Sequence, residues 1–185
     1  MSDDTTQAIK SISMILRALK YYFSLCGCVT TGSADVDTTP MNNVNWEAYM
    51  GRWYEWARFE TPFEYDLDYV YAEYDLQNDG SVSITNYGTD KKGHQTKAHA
   101  VGKVAGEGML SVSFIPVLRF PSSSYRVLYV DDEYNYALVS DKKGSCLWFL
   151  GRSPQSTKDA ISILKYEADA RGFNTENLRY TAQGS

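Results

Sequence analysis

What most constrains this chain is a rhythm. Between residues 52 and 150, short stretches of alternating apolar and polar residues are separated by turn signals. The stretches are 52–59, 69–76, 81–86, 96–104, 110–114, 125–130, 136–140 and 146–150. A period of two sends successive side chains to opposite faces of a strand. Asn78-Asp79-Gly80, Gly106-Glu107-Gly108 and the segment ending at Gly144 are hairpin-type links. None of the links carries a helix, so each strand is expected to pair antiparallel with the next. The expectation is an all-β fold, an eight-stranded antiparallel up-and-down β-barrel.

The flanks fit that reading. Asn45 can cap a short turn over 46–50 that Gly51 ends, feeding directly into the aromatic strand Trp53-Tyr54-Glu55-Trp56. After residue 152, Ser153-Pro154 and Ser156 offer a helix start, and Gly172 offers its stop. Ala160, Ile161, Leu164 and Ala168 recur at helical spacing. A C-terminal α-helix is therefore expected on the outside of the barrel, received by Leu147 and Phe149. Residues 178–181 are expected to add a short closing strand.

An eight-stranded barrel has an interior sized for side chains or for one small ligand. Parity assigns the lining strand by strand. The first strand gives Ala57, and the second gives Val70, Ala72 and Tyr74. Val82 and Ile84 follow on the third, then Ala98, Ala100 and Gly102 on the fourth. The fifth contributes Leu110, Val112 and Phe114, and the sixth Tyr125, Val127 and Tyr129. Trp148 comes from the eighth. The small residues of the fourth strand leave room for a ligand; the alternative is a strand crossing a crowded partner. The hydroxyls of Tyr74, Tyr125 and Tyr129 are candidates to meet a ligand headgroup. Glu55 shares the parity of Trp53 and, if buried, needs a salt bridge, a tyrosine hydrogen bond or its proton. Cys146 also has inward parity. It is a candidate thiol nucleophile, although sequence places no histidine or acid beside it and a lone buried cysteine packs as an inert apolar group.

Composition removes several classes. A net charge of −5 argues against nucleic acid as a partner. No apolar run approaches the roughly 20 residues of a membrane span. The two histidines have no ligand spacing, so neither a metal nor another cofactor is predicted. Cys26, Cys28 and Cys146 do not make a disulfide framework. The basic residues Arg17 and Lys20 precede an apolar run over 21–25, and Leu25-Cys26-Gly27-Cys28 resembles a bacterial lipobox. Residues 1–28 thus read as a leader with a lipoprotein signal starting at Met14, or else as an amphipathic helix lying on a membrane. Residues 29–44 read as a flexible tether, and residues 45–185 as the folded domain.

The motifs resemble those of the lipocalin family. Gly51-Arg52-Trp53-Tyr54 resembles the first motif, while Asp131, Tyr134 and Ala137 resemble the second. Arg152, closing the eighth strand, resembles the third. The similarity runs over 46–180 and is greatest to the bacterial outer-membrane branch, with apolipoprotein D and the plant temperature-induced lipocalins. It implies that Trp53 plugs the narrow end of the barrel and that Arg152 crosses its indole. Gly51, Asp131 and Tyr134 are then structural. It also implies a fatty acid or lysophospholipid ligand, carried or stored at the outer membrane. The expected anchor is a lipid on Cys28, with the protein facing the periplasm and acting as a monomer or homodimer rather than as an enzyme. The alternatives are a lipocalin-type enzyme and a protein-binding module using the loops 63–66 and 116–124, with Phe63, Tyr65, Leu118 and Phe120.

Overall fold

The computed structural model describes residues 36–61, 64, 66–114 and 123–183. The leader residues Met14, Cys26 and Cys28 lie outside the described residues, as do the loop residues Phe63, Tyr65, Leu118 and Phe120. The strands are β1 (Gly51–Phe59), β2 (Asp68–Leu76), β3 (Ser81–Thr89), β4 (Gln95–Gly106), β5 (Met109–Ser113), β6 (Ser123–Val130), β7 (Tyr136–Asp141) and β8 (Leu147–Gly151). A short helix α1 (Trp46–Tyr49) precedes them, and α2 (Lys158–Ala170) and β9 (Leu178–Tyr180) follow. Each strand pairs antiparallel with the next, and β1 closes the barrel by pairing with both β2 and β8. β9 adds to β1 on the edge opposite β8, with Ala57 opposite Tyr180. The eight-stranded barrel, the outer helix and the closing strand all stand as expected.

Local chemistry sets the ends of the elements. The Asn45 side chain accepts from the N–H groups of Glu47 and Ala48, and Gly51 takes φ +93° to turn α1 into β1. The cap of α2 is Thr157, whose hydroxyl accepts from Ala160 N–H at 3.1 Å. The expected cap at Ser153-Pro154 or Ser156 is thereby corrected. The carbonyl of Ser153 is used differently, accepting the Trp56 indole N–H at 2.8 Å. Ala160, Leu164 and Ala168 bury one face of α2 in a cluster with Leu128, Leu138, Leu147 and Phe149. A fully buried leucine such as Leu164 contributes about 2 kcal/mol to that docking.

Of the expected tether, residues 36–44 make specific contacts with the domain, and residues 29–35 lie outside the described residues. Met41 N–H donates to Val127 O at 2.7 Å, and Asp37 N–H donates to Arg171 O at 2.9 Å. Arg126 donates to Thr38 O at 3.0 Å. The strap lies so close that a Cβ on Gly108 would fall 2.4 Å from Met41 O. Only glycine fits there.

Two bulges decide which residues face the interior. β1 shifts register between Glu55 and Ala57, and β6 shifts between Val127 and Tyr129. Each inserts one residue and reverses the parity of everything beyond it. Trp53 belongs to the interior, but Trp56 and Ala57 pack in the cluster under α2. Val127 and Val130 belong to the interior, whereas Leu128 and Tyr129 lie on the helix side. Tyr129 stacks there on Tyr136 with ring centroids 6.3 Å apart. Ala57 and Tyr129 are therefore removed from the expected lining.

Candidate functional site: the barrel interior

The narrow end is built from the motif residues. Trp53 is buried, and its indole N–H donates to Tyr49 O at 2.8 Å. The Arg152 guanidinium lies 3.9 Å from the Trp53 ring centroid. The same guanidinium donates to three carbonyls, those of Ala48 (2.8 Å), Arg52 (2.9 Å) and Tyr134 (3.2 Å). Tyr134 sits at φ +58°, and its hydroxyl accepts from Asn45 N–H at 2.8 Å. One Asp131 carboxylate oxygen accepts from Asn135 N–H (2.6 Å) and Tyr136 N–H (2.8 Å), which fixes the turn between β6 and β7.

Above that floor the wall is apolar. Ala72, Tyr74, Val82, Ile84, Ala100, Leu110, Val112 and Val127 are buried together, with Tyr125 and Trp148 partly buried against them. Val70 is buried as well. Gly102 is buried, but a Cβ there would meet Ile84 Cδ1 at 3.2 Å, so the neighbouring strand already fills its space. At that position the crowded-strand alternative holds. Ala98 is exposed. Phe114 lies one residue past β5 and is 48% exposed, so it is not part of the packed wall. Parity missed Tyr49, Val130, Ala137, Val139 and Leu150, which complete the interior. Val130 was hidden by the β6 bulge, and Tyr49 reaches in from α1, where strand parity does not apply.

Polar groups enter this interior in two places. Near the floor, three phenols meet: Tyr49 and Tyr125 oxygens are 2.7 Å apart, and Tyr74 donates to Tyr125 at 3.2 Å. Burial pushes the Tyr74 phenol up to about 12 and the other two well above their ordinary value, so all three keep their protons at neutral pH. The second group is ionic. Glu55 and Arg58 are 3% and 0% exposed and form a salt bridge. Thr181 donates to Glu55 at 2.6 Å. The other Arg58 nitrogen reaches the Glu60 carboxylate (3.3 Å) and the carbonyls of Glu64 and Leu67. Glu64 accepts from the Trp148 indole N–H at 3.2 Å and from Thr61 at 3.1 Å. Burial raises the Glu64 carboxyl to about 8, reinforced by the charge of Glu55 and opposed by Arg58. Burial also raises Glu55, while Arg58 pulls it back.

Glu55 thus takes the salt-bridge option, with a partner that sequence parity put on the other face. Arg58 and Glu55 are three residues apart, and only the bulge brings them to the same side. No residue pattern announces that bulge. Cys146 is buried, with its N–H donating to Asp141 at 2.8 Å and its carbonyl accepting from Ser140 at 2.6 Å. Among the described residues no group of three or more His, Cys, Asp or Glu side chains is placed to hold a metal, and no helix is long and apolar enough to cross a membrane.

A closed antiparallel barrel, sealed at one end by a tryptophan under an arginine and flanked by one helix, defines a lipocalin. The chain belongs to that family: the lipocalin-like domain matches residues 44–183. The outer membrane lipoprotein Blc of Vibrio cholerae is 32% identical over 169 residues, covering 88% of this chain and 97% of the relative. Temperature-induced lipocalin-1 of Arabidopsis thaliana is 31% identical, covering 77% and 81%. Among solved structures, apocrustacyanin C1 superposes with a TM-score of 0.68 at 18% identity, covering 83% of this chain and 90% of that one. Insecticyanin of Manduca sexta gives 0.68 at 16%, covering 83% and 88%. These two show the shared fold. The family's barrels bind small hydrophobic ligands, and the chain shares that architecture.

Proposed function

We propose that this protein carries or stores an acyl-bearing lipid, a fatty acid or a lysophospholipid, in the barrel. The observation that carries the reading is the composition of the interior. Its wall is apolar and includes the small side chains Ala72 and Ala100, while Tyr125 and Glu64 are only partly covered within it. Such a wall rewards an alkyl chain by about 0.8 kcal/mol for each buried methylene, before ordering costs. Membrane association through a lipid on Cys28 forms part of the same proposal. It is supported by the lipobox-like sequence at 25–28 and by relatives named as outer membrane lipoproteins.

The test is displacement of the fluorescent probe N-phenyl-1-naphthylamine by palmitate and by lysophosphatidylcholine. Both are expected to compete in the wild type. Ala100→Phe, which fills the interior, is expected to weaken probe and competitor by at least tenfold. A wild-type protein that binds neither probe nor lipid overturns the reading.

A further inference from the structure

The tyrosine cluster has a proton to spare. Tyr49, Tyr74 and Tyr125 carry three hydroxyl protons, and two hydrogen bonds join them. Tyr49 is 0% and Tyr74 4% exposed, and Tyr125 is the hydrogen-bond partner of both hydroxyls. A buried hydroxyl must donate or lose free energy. Tyr49 and Tyr74 therefore both donate to the Tyr125 oxygen, whose two lone pairs are then filled. The Tyr125 proton is left without a partner in the cluster. Tyr125 is also the member that keeps part of its surface open.

The position of this surplus donor is deep. Tyr49 rests on Trp53 with centroids 4.9 Å apart, and Tyr74 pairs across the sheet with Gly51, where β1 begins. A lipid entering methyl end first would set alkane against the unused donor. A lipid entering oxygen first would satisfy it.

We propose that Tyr125, with Tyr49 and Tyr74 holding its orientation, is a subsite for a terminal oxygen of the ligand: the carbonyl, carboxyl or hydroxyl end of a single-chain lipid that enters oxygen first. This rests on the lipid-binding reading and narrows it. A fatty acid, long-chain alcohol or ketone fits. A lysophospholipid can occupy the barrel only with its acyl chain inward and so does not use this subsite, because its headgroup is too large to lie beyond its acyl oxygen against a closed floor. Once two donors are directed at its oxygen, the third phenol is a stronger donor, because hydrogen bonds in a chain polarise one another.

The experiment compares dodecan-2-one with tridecane, which have equal numbers of heavy atoms, as competitors for N-phenyl-1-naphthylamine in wild type and Tyr125→Phe. The variant keeps the ring and removes the donor. The ratio of ketone to alkane affinity is expected to fall about fivefold, the effect of one neutral hydrogen bond. A ratio unchanged by the substitution overturns the subsite, since a donor satisfied by water or serving only the fold treats both competitors alike. If neither compound displaces the probe while the probe itself binds, the oxygen-first subsite also fails. If the probe does not bind either, the lipid-binding reading fails with it.

Discussion

The Arg152 guanidinium lies 3.9 Å from the Trp53 ring centroid and at the same time donates to the carbonyls of Ala48, Arg52 and Tyr134. One side chain thus ties α1, the start of β1 and the turn before β7 to the floor of the barrel. Arg152→Ala removes a cation–π contact worth about 1 kcal/mol and leaves three carbonyls to water. Urea denaturation is expected to show a loss of about 2–3 kcal/mol. Arg152→Lys keeps the charge but not the planar fork, and is expected to recover less than half of it. An alanine variant as stable as the wild type would show that the seal is not needed for the fold.

Glu55 and Arg58 make the opposite kind of pair, one with almost no access to water. Burying two charges is costly, but removing one partner costs more, because the other is left uncompensated. Glu55→Ala is expected to lower stability by about 3–5 kcal/mol. The double variant Glu55→Leu with Arg58→Met is expected to lose less than the sum of the two single changes. Its remaining loss reflects the carbonyls of Glu64 and Leu67, which Arg58 also holds. A double-mutant cycle gives the coupling directly, and a value near zero would mean that the pair is incidental.

The bulge in β1 separates Ala57 from the barrel interior. Ala57 is packed against Phe149 and the α2 side chains, whereas Ala100 lies in the barrel wall. Ala57→Leu is expected to cost about 1–3 kcal/mol through overpacking under the helix. Probe affinity is expected to stay within twofold. The reverse pattern, normal stability with lost probe binding, would place Ala57 in the pocket.

The sequence made the barrel legible because its evidence is repeated. Each strand carries its own alternation, and most of the links between strands carry a glycine or Asx residue, as at Asp79 and Gly80. The floor was legible for a different reason: Trp53, Arg152, Gly51 and Asp131 form motifs whose residue types are tied to one geometry. The interior was less legible because parity is fragile. One inserted residue in each of β1 and β6 moved Ala57 and Tyr129 out and brought Arg58 and Val130 in. Tyr49 and Glu64 come from outside the strands, so no alternation could point to them. At Gly102 the residue suggested space, but Ile84 occupies it.

Glu64 supplies a pH signature. Its carboxyl is raised to about 8 in the folded chain, first by burial and then by the charge of Glu55, against an ordinary value of 4.5. Between those two values the folded protein holds a proton that the unfolded chain has released. Stability from this group is therefore complete below pH 4.5 and declines as pH rises toward 8. Glu64→Gln stays neutral throughout and can still accept from the Trp148 indole. Urea midpoints are expected to be similar for the two proteins at pH 5, and higher for the glutamine variant at pH 9. Because a charged Glu64 also faces Glu55 and the Arg58 guanidinium, the difference should narrow in a Glu55→Gln background, where one repelling charge is gone. Parallel pH profiles for wild type and Glu64→Gln would mean that Glu64 is already ionised at pH 5 and that its carboxylate is held by Arg58 instead.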